Sequence, residues 1–190
     1  ELSEEERAFY NKIHWDVEVY TESLGGFEEM GGLHYRTDHD LGGHQNASGE
    51  RLDVNVDGKK FVPHVLELSF GVDRNFWTLL DVFYKDEGDR KVISLPKEVA
   101  PFRAGIFPLQ KKEDLEKVAK KVYTELKECY DVFYDDSGSI GRRYRRQDEI
   151  GTPFGVTIDF QTLEDNTVTI RERDSMNQHR VKLDEIWKNI

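Results

Sequence analysis

Residues 135–160 read DDSGSIGRRYRRQDEIGTPFGVTIDF, and this stretch decides what kind of domain the chain builds. Two acidic residues lead into a Ser-Gly turn, followed by four arginines (Arg142, Arg143, Arg145, Arg146), a Gly-Thr-Pro break and an alternating run. Gly and Pro punctuate local structure, and apolar residues alternating with polar ones mark a strand. The stretch therefore predicts a strand end, a loop, a short arginine-rich helix and a return strand. A solvated helix needs charge, but it does not need this order of elements. The order suits a sheet domain that meets a polyanion.

Working outward, residues 103–109 and 131–134 read as strands around a helix at 113–130. That helix carries Leu115, Val118, Ala119, Val122, Tyr123, Leu126 and Cys129 at a period of 3.6, which places Cys129 in the core. Strands at 155–160 and 167–173 and a short terminal helix follow. Strands alternating with helices before a closing hairpin predict a small mixed α/β sheet.

The first half is read differently. Ser3 followed by Glu6 has capping-box spacing and predicts a short helix over 2–12. Residues 13–20 (IHWDVEVY) alternate as a strand. Between 25 and 49 lie seven glycines and three histidines, which predicts loop with one short strand near 33–35. The tetrapeptide NVDG at 55–58 signals a hairpin, with a strand over 61–68 and a helix over 75–84 behind it. A boundary is expected near 86–96, where charge, Gly88 and Pro96 interrupt the pattern.

Composition sets limits on function. The 190 residues are 37% hydrophobic, 34% charged and 12% aromatic, which predicts packed cores and not disorder. No apolar run approaches the length of a membrane span, and the acidic N-terminal stretch lacks the basic start and apolar run of a signal peptide. The single cysteine excludes an internal disulfide framework and fits a reducing, cytoplasmic setting. The net charge of −11 is distributed unevenly, −10 over residues 1–96 and −1 over 97–190. Local patches decide where phosphates land, so the arginine cluster keeps specific nucleic-acid binding open. Equally, those arginines have Asp135, Asp136, Asp148 and Glu149 nearby and can form a structural salt-bridge network. The chain opens with Glu, which is compatible with a processed chain, a cloned fragment or a split subunit.

Residues 67–74 (ELSFGVDR) form a strand end, a glycine and an arginine opening a helix. Gly71 lets backbone approach a ligand, and Arg74 presents a fork of donors to a phosphate. Residues 26–41 (GFEEMGGLHYRTDHDL) hold carboxylates suited to an amine. His34, His39 and His44 read as loop polarity. A zinc site there, with Asp38 and Asp40, would make a metal-dependent enzyme, but HExxH-like spacing is absent and no metal site is predicted.

These segments and residues 135–174 resemble glycyl-tRNA synthetases of the archaeal and eukaryotic kind, which are class II enzymes. ELSFGVDR is similar to their motif 3, with Leu68 where the family usually has proline. The 26–41 segment resembles their glycine-pocket region, with Phe27, His34 and His39 departing from Trp, Ala and Tyr. The stretch from about 98 to 190 resembles the anticodon-binding domain shared with threonyl, prolyl and histidyl synthetases. The resemblance implies the C-terminal part of a glycine–tRNA ligase: the end of the catalytic domain over 1–90 and the anticodon domain over 98–190. The implied fold is α+β with α/β, an antiparallel sheet missing strands and so exposing an edge and apolar surface, then a mixed five-stranded α/β domain.

Arg74 and Glu67 are then the catalytic and ATP-binding residues, with Glu67 helping to hold ATP-bound Mg2+. Glu29 and Ser69 face the glycine, and Arg36 and Asp40 support the pocket. Glu164, Arg171, Arg173, Arg142 and Arg145 are the expected anticodon and tRNA contacts. Tyr144 is expected to anchor the core. The implied partners are tRNA(Gly), glycine and ATP, with a homodimer as the full-length form and no membrane. Motifs 1 and 2 of the class do not occur here, so the isolated chain is expected to be inactive. The alternative is a non-catalytic tRNA- or RNA-binding module related to the synthetases.

Overall fold

The computed structural model describes residues 1–190, which divide into two compact units, Glu1–Val82 and Phe83–Ile190.

In the first unit, β1 (Ile13–Thr21) pairs antiparallel with β2 (Gly26–Thr37), which pairs antiparallel with β5 (Val65–Phe70), in the order β1-β2-β5. A bulge at Val17/Glu18 shifts the first ladder. The helix α1 (His39–Ser48) and a small hairpin, β3 (Val54–Val56) with β4 (Lys59–Phe61), lie between β2 and β5. Asp57 and Gly58, both at positive φ (50° and 78°), make the tight turn that NVDG signalled. The helix α2 (Val72–Phe83) follows β5.

Two expectations for this unit are corrected. The glycine-rich segment is a twelve-residue strand and a ten-residue helix, not loop. Its glycines answer a need for close approach. A Cβ on Gly31 would lie 2.5 Å from Phe70 Cδ1, and one on Gly32 would lie 2.3 Å from His34 Nε2. Residues 2–12 form turns and no helix. The capping interaction is made, with Ser3 N donating to Glu6 at 3.1 Å and Ser3 Oγ at 2.7 Å. One turn is a costly nucleus, and the sheet captures the chain instead through Leu2 N to His14 O (2.9 Å) and Lys12 N to Tyr35 O (2.8 Å).

The second unit opens with a hairpin, β6 (Tyr84–Asp86) and β7 (Lys91–Ile93). It then forms a mixed five-stranded sheet, as the resemblance implied. The strands are β8 (Ala104–Pro108), β9 (Val132–Tyr134), β10 (Phe154–Ile158), β11 (Thr167–Glu172) and β12 (Gln178–Lys182). The β8–β9 and β8–β10 ladders are parallel; β10–β11 and β11–β12 are antiparallel. Alternation along the strands serves two faces. Ala104, Ile106, Val156 and Ile158 meet Leu115, Ala119, Val122 and Leu126 of α3 (Glu113–Lys127), all buried. On the other face Gly105, Phe107 and Gly155 lie beneath α4 (Ile140–Ile150).

Three details of the second unit were not in the sequence reading. A six-residue helix α5 (Phe160–Asp165) stands between β10 and β11, so the connection is not a bare hairpin turn. Its signal was present in Asp159, whose carboxylate accepts from Thr162 N at 3.0 Å in a capping box. The strand β12 precedes a 3-10 helix (Leu183–Lys188) where only a terminal helix was expected. Cys129 is exposed, because α3 stops at Lys127 and the helical period that pointed it inward no longer applies.

Candidate functional site

In the first unit the predicted site residues fall into two groups. The first centres on Glu67 of β5. Arg36 Nη1 donates to Glu67 Oε2 at 2.7 Å, while Arg36 Nε and Nη2 clasp both oxygens of Asp40 at 2.7 Å. The fork of a guanidinium suits this bidentate grip. The hydrogen bond to Arg36 holds the Asp40 carboxyl below the usual range, and Asp40 in turn raises Arg36. The His34 Nδ1 lies 3.2 Å from Glu67 Oε1, and the Arg36 guanidinium covers the Tyr10 ring at 4.3 Å. Ser69 stands opposite Gly32 in the ladder, exposed and without a side-chain hydrogen bond.

The second group centres on Arg74 at the start of α2. Its Nη1 donates to the Glu29 carbonyl at 2.8 Å and lies 3.9 Å from the Glu29 carboxylate. Arg74 also lines a cavity of about 550 Å³ with Leu24, Glu28, Met30, Asp73 and Trp77. Asn75 Nδ2 ties this helix end to Met30 O at 3.1 Å. The structure thus brings Arg74 to Glu29, and Glu67 to Arg36 and Asp40, without direct contact between Glu67 and Arg74. Arg74 keeps exposed donors beside a cavity, which fits a phosphate-bearing ligand. Glu67 is a partly exposed carboxylate, and Mg2+ needs only one or two of these when phosphates supply other oxygens.

The sequence reading missed His14 and Asp16. Their register in β1, with His14 opposite His34 and Asp16 opposite Gly32, puts them beside the Glu67 group. His14 Nε2 contacts Asp16 at 2.9 Å, and the His14 and His34 rings meet edge-on at 4.1 Å. Alternation along residues 13–20 was the signal that could have found them.

In the second unit the arginines divide between structure and surface. Arg143 is buried, and its guanidinium donates to the carbonyls of Pro108, Ser137 (3.2 Å), Asp136 (2.8 Å) and Gly138 (2.8 Å), holding the turn before α4. Arg146 binds Asp135 Oδ2 through Nε at 3.0 Å and Ser137 O at 2.8 Å. Burial pushes the Asp135 carboxyl up, but hydrogen bonds from Ser137 and Arg146 outweigh it and keep it below its ordinary value. Arg142 and Arg145, three residues apart on α4, are exposed and make no ion pair. The salt-bridge reading thus holds for Arg146, Arg143 binds carbonyls instead, and Arg142 and Arg145 are left exposed. Tyr144 anchors the helix, its hydroxyl 2.6 Å from Thr157 Oγ1 and its ring edge-on to Phe107.

Arg171 lies on β11 and Arg173 in the turn just beyond it, and both side chains point into the fold and are buried. They are 8% and 3% exposed. Arg171 grips Asp148 at 3.0 and 3.2 Å, and Arg90 Nε reaches the same carboxylate at 2.8 Å. Arg173 donates to Gly151 O (2.7 Å), Leu95 O (2.9 Å) and Asp174 (2.8 Å). A buried charge needs partners, and here the partners occupy the donors that would have read a base. Asp148, the hub of this network, was noticed only as a neighbour of the arginines. Glu164 is exposed on α5.

Residues 103–190 match the family model described as anticodon binding domain. Over both units the chain is similar to glycine–tRNA ligases: 43% identical to that of Borreliella burgdorferi, across 96% of this chain and 43% of that protein. Similarity to the ligase of Thermobifida fusca is 44%, across 98% and 43%. For Clostridium tetani it is 45%, across 100% and 42%. The chain thus spans less than half the length of these curated relatives. A prolyl-tRNA synthetase structure from Cryptosporidium parvum, complexed with L-proline and AMP, matches with a TM-score of 0.75. That match has 19% identity and covers 98% of this chain and 38% of that one, a likeness of fold. The fold is thus that of a class II synthetase structure, residues 103–190 match the anticodon binding domain, and the identity to glycine–tRNA ligases is sustained through both units.

Proposed function

We propose that this chain serves the ATP-dependent attachment of glycine to tRNA(Gly), supplying the motif 3 region in residues 1–90 and the anticodon-binding domain in 98–190. The observation that carries the reading is the identity to glycine–tRNA ligases running through both units, 43% over 96% of the chain. In this reading Arg74 takes the ATP phosphates and Glu67 faces the Mg2+ that accompanies them. Bound there, the metal would neutralise phosphate charge. Glu29 and Ser69 lie toward glycine, and the Arg36–Asp40 pair braces Glu67. Arg142 and Arg145 on α4 and Glu164 on α5 face the RNA, since these are the exposed members of the predicted set. Arg171 and Arg173 act beneath that surface, holding β11 against α4. The complete ligase is a cytoplasmic homodimer; no helix here is long and apolar enough to cross a membrane.

A second reading, an RNA-binding module without catalysis, is favoured by one observation. Both oxygens of Glu67 are already engaged by protein groups, and Glu67 and Arg74 stand in separate networks.

The test is binding of the chain to a glycine-isoacceptor tRNA, against one with its anticodon changed, at fixed near-physiological salt. Discrimination supports an anticodon-reading domain, and equal binding to both overturns it. Replacing Arg142 and Arg145 together by Ala is expected to weaken binding and to lower the salt slope by about 2, roughly one per phosphate contact. Glycine-dependent ATP–pyrophosphate exchange by the pure chain would remove the non-catalytic reading.

A further inference from the structure

We propose that His34 is a positioning residue for the Glu67 carboxylate, fixing the orientation in which Glu67 meets a metal–nucleotide. This rests on the reading of Glu67 given above. Glu67 is held at both ends: Arg36 occupies Oε2 at 2.7 Å, and His34 Nδ1 lies 3.2 Å from Oε1. A carboxylate only accepts, so the contact requires a proton on Nδ1. Each partner is itself braced. Arg36 is clasped by Asp40, and the His34 ring is wedged from two sides. On one side its Nε2 lies where a Gly32 Cβ would be, 2.3 Å away, so only glycine leaves room for it. On the other the His14 ring meets it at 4.1 Å, and His14 is fixed by Asp16 at 2.9 Å.

The result is a continuous row across three strands and the first turn of α1, Asp16–His14–His34–Glu67–Arg36–Asp40. A row so anchored leaves the carboxylate one orientation, with only its remaining lone pairs open to a ligand. Groups that orient a metal-facing carboxylate typically change metal affinity by about 10- to 100-fold when removed.

The experiment uses the 190-residue chain and has two readouts. Nitrogen NMR of the imidazoles is expected to show neutral His34 protonated on Nδ1, a signature lost in Glu67→Ala. Binding of Mn2+–ATP, with Mn2+ standing in for Mg2+, is then measured by paramagnetic relaxation for His34→Ala, His34→Asn and His34→Gln. Asn carries its amide nitrogen as many bonds from Cα as Nδ1, whereas Gln carries it one bond further. The expectation is about tenfold weaker binding in His34→Ala and His34→Gln, with rescue in His34→Asn. Equal affinity in all forms, or a proton on Nε2 alone, overturns the role of His34 and leaves the ligase reading intact. No binding by any form overturns both this role and the nucleotide reading of Glu67, while the tRNA test still judges the second unit separately.

Discussion

The two units follow opposite solutions to the same problem of holding a sheet. The second unit buries a full apolar core, with Ala104, Ile106, Leu115, Val156, Ile158, Val168 and Ile170 all at 0% exposure. In the first, Met30 is the one buried hydrophobic residue, while Trp15, Leu66, Leu68 and Phe70 are 48%, 70%, 68% and 46% exposed. Alternation places Ile13, Trp15 and Val17 of β1 with Leu33, Leu66 and Leu68 on one sheet face. The opposite face carries the polar row through His34, Glu67 and Arg36. Each buried Leu or Ile contributes about 1.5–3 kcal/mol, so the second unit has a driving force that the first lacks. Ion pairs that remain partly in water contribute little by comparison. The lesson is that a regular, well-paired sheet is not by itself a stable one.

The largest expected effect tests this directly. Amide hydrogen exchange should separate the units, with core amides of β8, β10 and β11 protected on the order of a thousandfold more than those of β1, β2 and β5. Uniformly slow exchange through both halves of a monomer would break the comparison. A shortened chain comprising Phe83–Ile190 should keep that protection, because its core draws on no residue before Val92.

Side-chain substitutions sharpen the contrast. Asp148→Ala strands Arg171 as a buried cation, removes one partner of Arg90, and should cost about 3–5 kcal/mol in urea unfolding of the second unit. Leu115→Ala, at a fully buried site, should cost about 2–5 kcal/mol. Leu68→Ala, equally apolar but exposed, should change stability by less than about 0.5 kcal/mol. A Leu68 effect as large as that of Leu115 would mean that its face is covered in solution.

How far the sequence could be read follows the same division. The second unit was legible because its helices and strands have independent apolar periods, as in the Leu115–Leu126 stripe of α3. Its failures were local: α5 and β12 are short, and Cys129 followed a period that ended two residues earlier. In the first unit glycine misled. Gly31 and Gly32 read as loop because composition records flexibility and not the approach of Phe70 and His34. Site residues were legible as chemical types but not as exposures. Arg142 and Arg143 are neighbours in an identical context, and only the tertiary packing of α4 sends one to solvent and the other to four carbonyls. The burial of Arg171 and Arg173 went unread for the same reason, since burial of a long cation leaves no mark in the sequence unless its partner is identified too.

The smallest predicted effect concerns acid. Asp174 is held down to about 2, chiefly by its hydrogen bonds from Arg173 and against a desolvation cost, with Ser94 assisting. Its folded value lies below the unfolded one of about 3.9. The pair therefore stabilises the second unit above that value and loses its contribution as pH falls from about 4 through about 2. Asp174 is 58% exposed, so solvent screening keeps the contribution below about 1 kcal/mol. The buried partner limits it further, because Arg173 retains Gly151 O and Leu95 O when Asp174 is protonated. Urea unfolding of Asp174→Asn beside the parent chain at pH 5 and pH 2 should show a small deficit at the higher pH that shrinks at the lower. A deficit that is undiminished at pH 2 would mean that Asp174 acts through contacts that Asn does not reproduce, and not through its charge.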